Sequence, residues 1–138
     1  MRVDFLKKIF ALTLTIAGIA PAMAEEAGVH RFATYNIRYV NANNGDTGDK
    51  LWANRRTAVT NIVKDYDFDI VGFQEVTGNN KDSQTGKSQL QDLIDMLPDY
   101  GNYAVEREGK NYSYNAIFYK KSKYTVVDKG MWYINEHP

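Results

Sequence analysis

Glu75 follows the apolar run Ile70-Val71-Gly72-Phe73, separated from it only by Gln74. Such a run reads as a short strand buried on both faces, with the polar pair marking where it leaves the core. In open α/β sheets ligands collect outside the carboxyl ends of the strands, where the core stops and loops open a crevice. A carboxylate placed there can meet a cation while the sheet fixes its backbone. Taken alone, Glu75 could equally begin a solvated loop. A second strand, however, ends in the same manner. Residues His30 to Ile37 are rich in β-formers, and the period of two puts Phe32, Thr34 and Asn36 on one face. Asn36 and Glu75 together offer two hard oxygens, a set that suits Mg²⁺ or Mn²⁺ better than zinc.

Around these residues lie three short motifs: Thr34-Tyr35-Asn36-Ile37-Arg38-Tyr39, Trp52-x-x-Arg55, and Asp69-Ile70-Val71-Gly72-Phe73-Gln74-Glu75. Two more follow, Gln89-Leu90-Gln91-Asp92-Leu93 with Leu97-Pro98-Asp99-Tyr100, and Tyr114-Asn115-Ala116-Ile117-Phe118-Tyr119. In this order, from about Arg31 to Pro138, they resemble the first half of the endonuclease/exonuclease/phosphatase superfamily, in particular its secreted bacterial members. The resemblance implies hydrolysis of phosphate esters with a divalent metal, Mg²⁺ or Mn²⁺. It maps the family's Asn and Glu ligands onto Asn36 and Glu75. It also implies a four-layer α/β sandwich, two mixed sheets face to face with helices outside.

These residues must be held by the elements between them. Leu51 to Tyr66 reads as a helix with Asp49 as N-cap, its apolar face formed by Trp52, Val59, Ile62, Val63 and Tyr66. Arg55 and Arg56 on this helix read as solvated. Arg38, closer to the candidate site, is open to either a solvated or a phosphate-binding reading. Asn41 to Lys50 is a loop by its Asn, Gly and Asp content. Its acidic residues lack the spacing and terminal Glu of a calcium-binding EF-hand. Thr77 to Lys87 is a second polar loop, able to face a substrate. Ser88-Gln89-Leu90-Gln91 forms a capping box for a second helix, with Leu90, Leu93, Ile94 and Leu97 buried and Pro98 ending it. Ser88 stands where family members often have His. The last third reads as β: Asn102 to Arg107, Tyr114 to Tyr119, Tyr124 to Val127 paired with it, and Met131 to Ile134. Asn115, at the start of a strand near the proposed mouth, is a substrate-binding candidate. The aromatic residues of this region could stack on bases, but they fit half-buried strand positions. His30 and His137 are isolated and lack zinc spacing.

The chain of 138 residues carries 17 basic and 17 acidic side chains and no cysteine. Arg2, Lys7 and Lys8 outweigh Asp4 near the N-terminus, so the remainder is slightly acidic. No basic surplus exists to hold nucleic acid by charge. Lys7-Lys8, an apolar run from Ile9 to Ala20 and Ala22-Met23-Ala24 read as a signal peptide, residues 1–24, with cleavage after Ala24 and export to the periplasm or beyond. Its apolar core is too short for an easy membrane span. Without cysteine there is neither a lipid-anchored cysteine nor a disulfide. Residues 25–138 are long enough for one domain.

The family's remaining catalytic groups, an Asp-x-Asn motif and a late Asp-His pair, have no counterpart here. The expectation is therefore the N-terminal part of a catalytic domain, a truncated chain, with no general base assigned and one sheet face uncovered. Two readings compete with the enzyme. One is a half-domain that binds a phosphorylated ligand without cleaving it; the other is a non-catalytic fragment completed by a second chain. Neither requires oxygen donors at two strand ends.

Overall fold

The computed structural model describes residues 28–40, 45–106 and 113–132. The expected signal peptide lies outside the described residues. Among the described residues no helix is long and apolar enough to cross a membrane.

The first strand, β1 (Phe32–Asn36), runs parallel to β2 (Ile70–Thr77). A parallel pair needs a long crossover, supplied by a short 3-10 turn, Gly48–Lys50, and helix α1 (Trp52–Asp65). Helix α2 (Gln89–Met96) leads into β3 (Tyr100–Glu106), which pairs antiparallel with β4 (Ser113–Lys120). The sheet order is β1-β2-β4-β3. This is the mixed α/β architecture expected from the sequence, one sheet and one helical layer.

Alternation sorts the sheet into two unlike faces. Val71, Phe73, Val76, Ala116 and Phe118 point to the helices and form the core with Trp52, Val59, Val63, Leu93 and Leu97. Phe73 and Phe118 meet edge to face, their centroids 5.3 Å apart. On the opposite face Phe32 is 66% and Ile117 50% exposed, so this surface is uncovered among the described residues. The run Ile70 to Phe73 is thus buried on one face, with Ile70 and Gly72 half-buried on the other. An apolar run without alternation does not reveal which face a second layer covers.

Several local expectations need correction. Asp49 belongs to the 3-10 turn; Leu51 is the N-cap of α1 and has no side-chain cap. Ile62 and Tyr66 face outward, and Thr60 joins the buried stripe instead. Its hydroxyl is satisfied within the helix by the carbonyls of Arg56 and Thr57, both 3.1 Å away. Ser88 does cap α2, accepting from the Gln91 N–H at 3.2 Å. Gln91 turns its side chain to Asp95 rather than closing the box. Residues 124–127 form no strand. The reason is topological: β4 already has β2 and β3 on its two sides, so no ladder edge remains for a third partner. The strand expected from Met131 to Ile134 is not formed at Met131 and Trp132, and its remainder lies outside the described residues.

Arg55 and Arg56 are not simply solvated: both are partly buried and bound to protein groups. Arg56 donates to Asp92 Oδ1 at 2.9 Å, and Trp52 Nε1 donates to Asp92 Oδ2 at 2.7 Å. Asp92 is only 2% exposed. A buried carboxylate requires paired donors, and these two fasten α1 to α2.

Candidate functional site

Because β1 and β2 are parallel, their carboxyl ends lie side by side, and Asn36 pairs in register with Gln74. Beyond Phe73 strict alternation would send Glu75 into the core beneath the helices. A bulge prevents this. Phe73 opposes Ala116 and Val76 opposes Tyr114, so Gln74 and Glu75 together face the single residue Asn115. The extra residue returns Val76 to the buried face and turns the Glu75 carboxylate sideways toward β1. Glu75 takes φ +58° at this point, a left-handed conformation costing a non-glycine residue about 1 kcal/mol. Strand β2 therefore does not end at the polar pair; it passes through it and continues to Thr77.

Asn36 Nδ2 donates to Glu75 Oε1 at 2.8 Å, and the Tyr39 N–H donates to Oε2 at 3.3 Å. Asn36 Oδ1 accepts from the Arg38 N–H at 2.9 Å. These partners fix the amide orientation, since an N–H needs the oxygen and a carboxylate needs the NH₂. Thus the two residues singled out by their strand-end positions are in direct contact.

Arg38 also lies in the left-handed region, at φ +56°. Its guanidinium is held by Asp46 through bonds of 3.2 and 2.7 Å. The hydrogen bond and charge of Asp46 raise the Arg38 pKa further. The same hydrogen bond, with the positive charge behind it, lowers that of Asp46. Arg38 stays half exposed and is close enough to the Glu75 carboxylate to feel its charge. Asn115 is exposed one strand away, opposite the bulge. Asn36, Glu75 and Asn115 thus span three neighbouring strands at one end of the sheet, with Arg38 at the outer edge.

The turn from Ile37 to Val40 is held from below by Arg55 and Gln89, two residues not assigned to the site from the sequence. Arg55 Nη1 donates to the Ile37 carbonyl and Nη2 to the Arg38 carbonyl at 2.7 Å. Its guanidinium packs over Trp52, 5.2 Å from the ring centroid. Burial pushes the Arg55 pKa down. Gln89, fully buried, donates to the Arg38 carbonyl at 3.0 Å and accepts from the N–H groups of Thr77 and Val40 at 2.9 and 3.3 Å. A polar residue at the start of an amphipathic helix ordinarily faces water; the only available hint was Gln89 standing within the conspicuous Gln-Leu-Gln-Asp-Leu motif.

Each Glu75 oxygen accepts one N–H and keeps lone-pair capacity on its outer side. Magnesium is commonly held by one or two carboxylates, several waters and substrate phosphate oxygens rather than by a closed protein cage. Glu75 with Asn36 beside it fits that mode as a partial donor set. Among the described residues no group of three or more His, Asp or Glu side chains converges on a metal position.

The chain resembles several solved structures, each of which it covers over about a third of its length. One is an endonuclease/exonuclease/phosphatase from Bacteroides vulgatus, 39% identical over 72% of this chain and 34% of its own, with a TM-score of 0.57. A family protein from Bacteroides thetaiotaomicron is 35% identical over 72% and 32%, with a TM-score of 0.58. A mannosyl-6-phosphatase of Bacteroides thetaiotaomicron VPI-5482 is 33% identical over 74% and 35%, with a TM-score of 0.57. Comparison with curated proteins returns no match. The sequence profile of the endonuclease/exonuclease/phosphatase family matches residues 33–135. That span takes in all but the first residue of β1, both helices and the bulged strand with its Asn36–Glu75 pair, and it makes the chain a member of the endonuclease/exonuclease/phosphatase family.

Proposed function

We propose that this chain carries the metal-binding half of a divalent-metal-dependent phosphoesterase. The observation that carries the reading is the Asn36–Glu75 contact where the parallel β1–β2 ladder ends. The bulge and the left-handed Glu75 exist at a cost and serve to aim that carboxylate outward. In the proposed site Glu75 would hold Mg²⁺ or Mn²⁺, and Asn36 would stand beside it as the second oxygen donor or steer a phosphate oxygen through its amide. When bound, the cation would polarise the phosphoryl group and offset the charge that develops during hydrolysis. Arg38 and Asn115 would flank the ester, Arg38 contributing positive charge even while Asp46 holds its fork. No described residue is assigned as general base. The match to a mannosyl-6-phosphatase makes a phosphorylated sugar one substrate class to test beside phosphodiesters.

The test compares p-nitrophenyl phosphate, its bis ester and mannose 6-phosphate, with Mg²⁺ or Mn²⁺ and with chelator. The present chain is expected to be silent or nearly so. The family domain completed by its second half is expected to hydrolyse at least one substrate, with loss of the activity in chelator. Equal activity with and without chelator would sink the metal-dependent reading. Metal-dependent turnover by the present chain would show that the second half is dispensable.

We also infer export, from the charged, apolar and small-residue order of the first 24 residues. Mass spectrometry of periplasmic protein is expected to find Glu25 first; an intact Met1 on that material would contradict it.

A further inference from the structure

We propose that Gln89, together with Arg55, is a positioning device for the Glu75 carboxylate, acting through the Ile37–Val40 turn. The inference rests on the metal-site reading for its purpose, though not for its geometry. Two of the polar contacts around Glu75 come from this turn and the residue before it: the Tyr39 N–H to Oε2 and Asn36 Nδ2 to Oε1. Asn36 is in turn oriented by the Arg38 N–H. Left-handed Arg38 redirects the chain so that successive N–H groups can serve both side chains. That conformation is disfavoured for arginine and persists only where the surroundings over-determine it.

Gln89 and Arg55 provide that determination. Both donate to the carbonyl of Arg38 itself, at 3.0 and 2.7 Å. Arg55 takes the Ile37 carbonyl as well. The Gln89 oxygen ties Val40 and Thr77 together, and the Thr77 hydroxyl accepts from the same Val40 N–H at 2.9 Å. One buried amide therefore joins the turn after β1, the end of β2 beyond the bulge and the first residue of α2. If either donor is lost, the Arg38 carbonyl keeps a partner, but the turn gains freedom to leave the left-handed region. Tyr39 and Asn36 then release Glu75. The device differs from ordinary core packing because its hydrogen bonds are directed at the backbone that orients the carboxylate.

The test uses Gln89→Glu, which keeps an oxygen for Thr77 and Val40 but removes the donor to Arg38, and Arg55→Lys, which keeps charge but removes the fork. Val63→Ala, a core truncation remote from the turn, serves as the stability control. Two readouts are taken on the intact protein: amide hydrogen exchange at Tyr39, and the dissociation constant for Mn²⁺ alone. Loss of a determining hydrogen bond is expected to speed Tyr39 exchange about 10-fold beyond the change in global stability. Mn²⁺ binding should weaken by a similar factor, on the order of 10-fold, as the preorganised carboxylate is lost. Val63→Ala should shift global stability and leave both local readouts unchanged once corrected for it. Tyr39 exchange in both variants that merely tracks global stability would overturn the positioning role. If Tyr39 loosens but wild-type Mn²⁺ binding is insensitive to Glu75→Gln, the device stands and the metal reading falls. Should Gln89→Glu fail to fold, Arg55→Lys alone decides, since its side chain is only partly buried.

Discussion

Glu75→Gln is expected to lower metal-dependent phosphate-ester hydrolysis by the completed domain on the order of 10²-fold, the scale of losing one principal electrostatic contributor to the transition state. The substitution keeps the shape and one of the two oxygens that accept from Asn36 and Tyr39. What it removes is the negative charge that holds a hard cation. Its NH₂ also faces a donor, either Asn36 Nδ2 or the Tyr39 N–H, so the carboxylate's two-sided acceptance is lost. Part of the rate should return at high Mg²⁺ or Mn²⁺, because a weakened site can still be filled by mass action. Rates across a metal titration, with the melting temperature as control, make the measurement. Wild-type turnover at limiting metal would remove Glu75 from the site. Asn36→Ala should reduce the rate as well. It would do so with less dependence on metal concentration if Asn36 chiefly serves the phosphate, and with more if it chiefly orients Glu75.

The largest effect on stability is expected at the opposite end of β2. Asp69 is fully buried. It accepts from Lys120 at 2.9 Å and from the Arg31 N–H at 2.8 Å, and it pairs with Lys123 at 2.9 Å. Burial works against its ionisation, but the hydrogen bonds from Lys120, Arg31 and Lys123 outweigh it and hold the carboxyl well below the usual carboxylate range. Asp69→Asn leaves two nearly buried ammonium groups facing a neutral amide. Breaking such an arrangement costs about 3–5 kcal/mol, a large share of a small domain's stability. Asp67 also pairs with Lys120, at 2.8 Å, but it is 60% exposed and replaces little of the loss. The sign with pH follows from the lowered folded pKa. The contribution is fully present above the unfolded carboxyl value, near 4, and is lost as pH falls below it toward the folded value. Urea unfolding between pH 7 and 3 should therefore show wild type losing its advantage over Asp69→Asn progressively below about pH 4. Parallel curves, or a variant within about 1 kcal/mol of wild type at pH 7, would contradict the assignment.

Composition and periodicity were enough to mark the four strands, two helices and an α/β class. The logic of strand ends was enough to single out Asn36 and Glu75, whose types and positions differ from a solvated loop only when taken together. Local chemistry also carried the Ser88 cap, because a cap depends on residues three apart in the chain. What the chain could not show locally were pairings between distant residues. The bulge that turns Glu75 away from the core exists only because β4 lies beside β2, and nothing between Gln74 and Val76 announces it. Arg55 and Arg56 looked solvated because arginine usually is. Tertiary structure instead set one beneath the carbonyls of Ile37 and Arg38, and the other against the buried carboxylate of Asp92. Tyr124 to Val127 had the composition of a strand, but a strand needs a free ladder edge, and β4 has none left. The sequence by itself determined which residues could do chemistry. The fold decided which way they face, because direction is set by hydrogen-bond partners that only packing brings within reach.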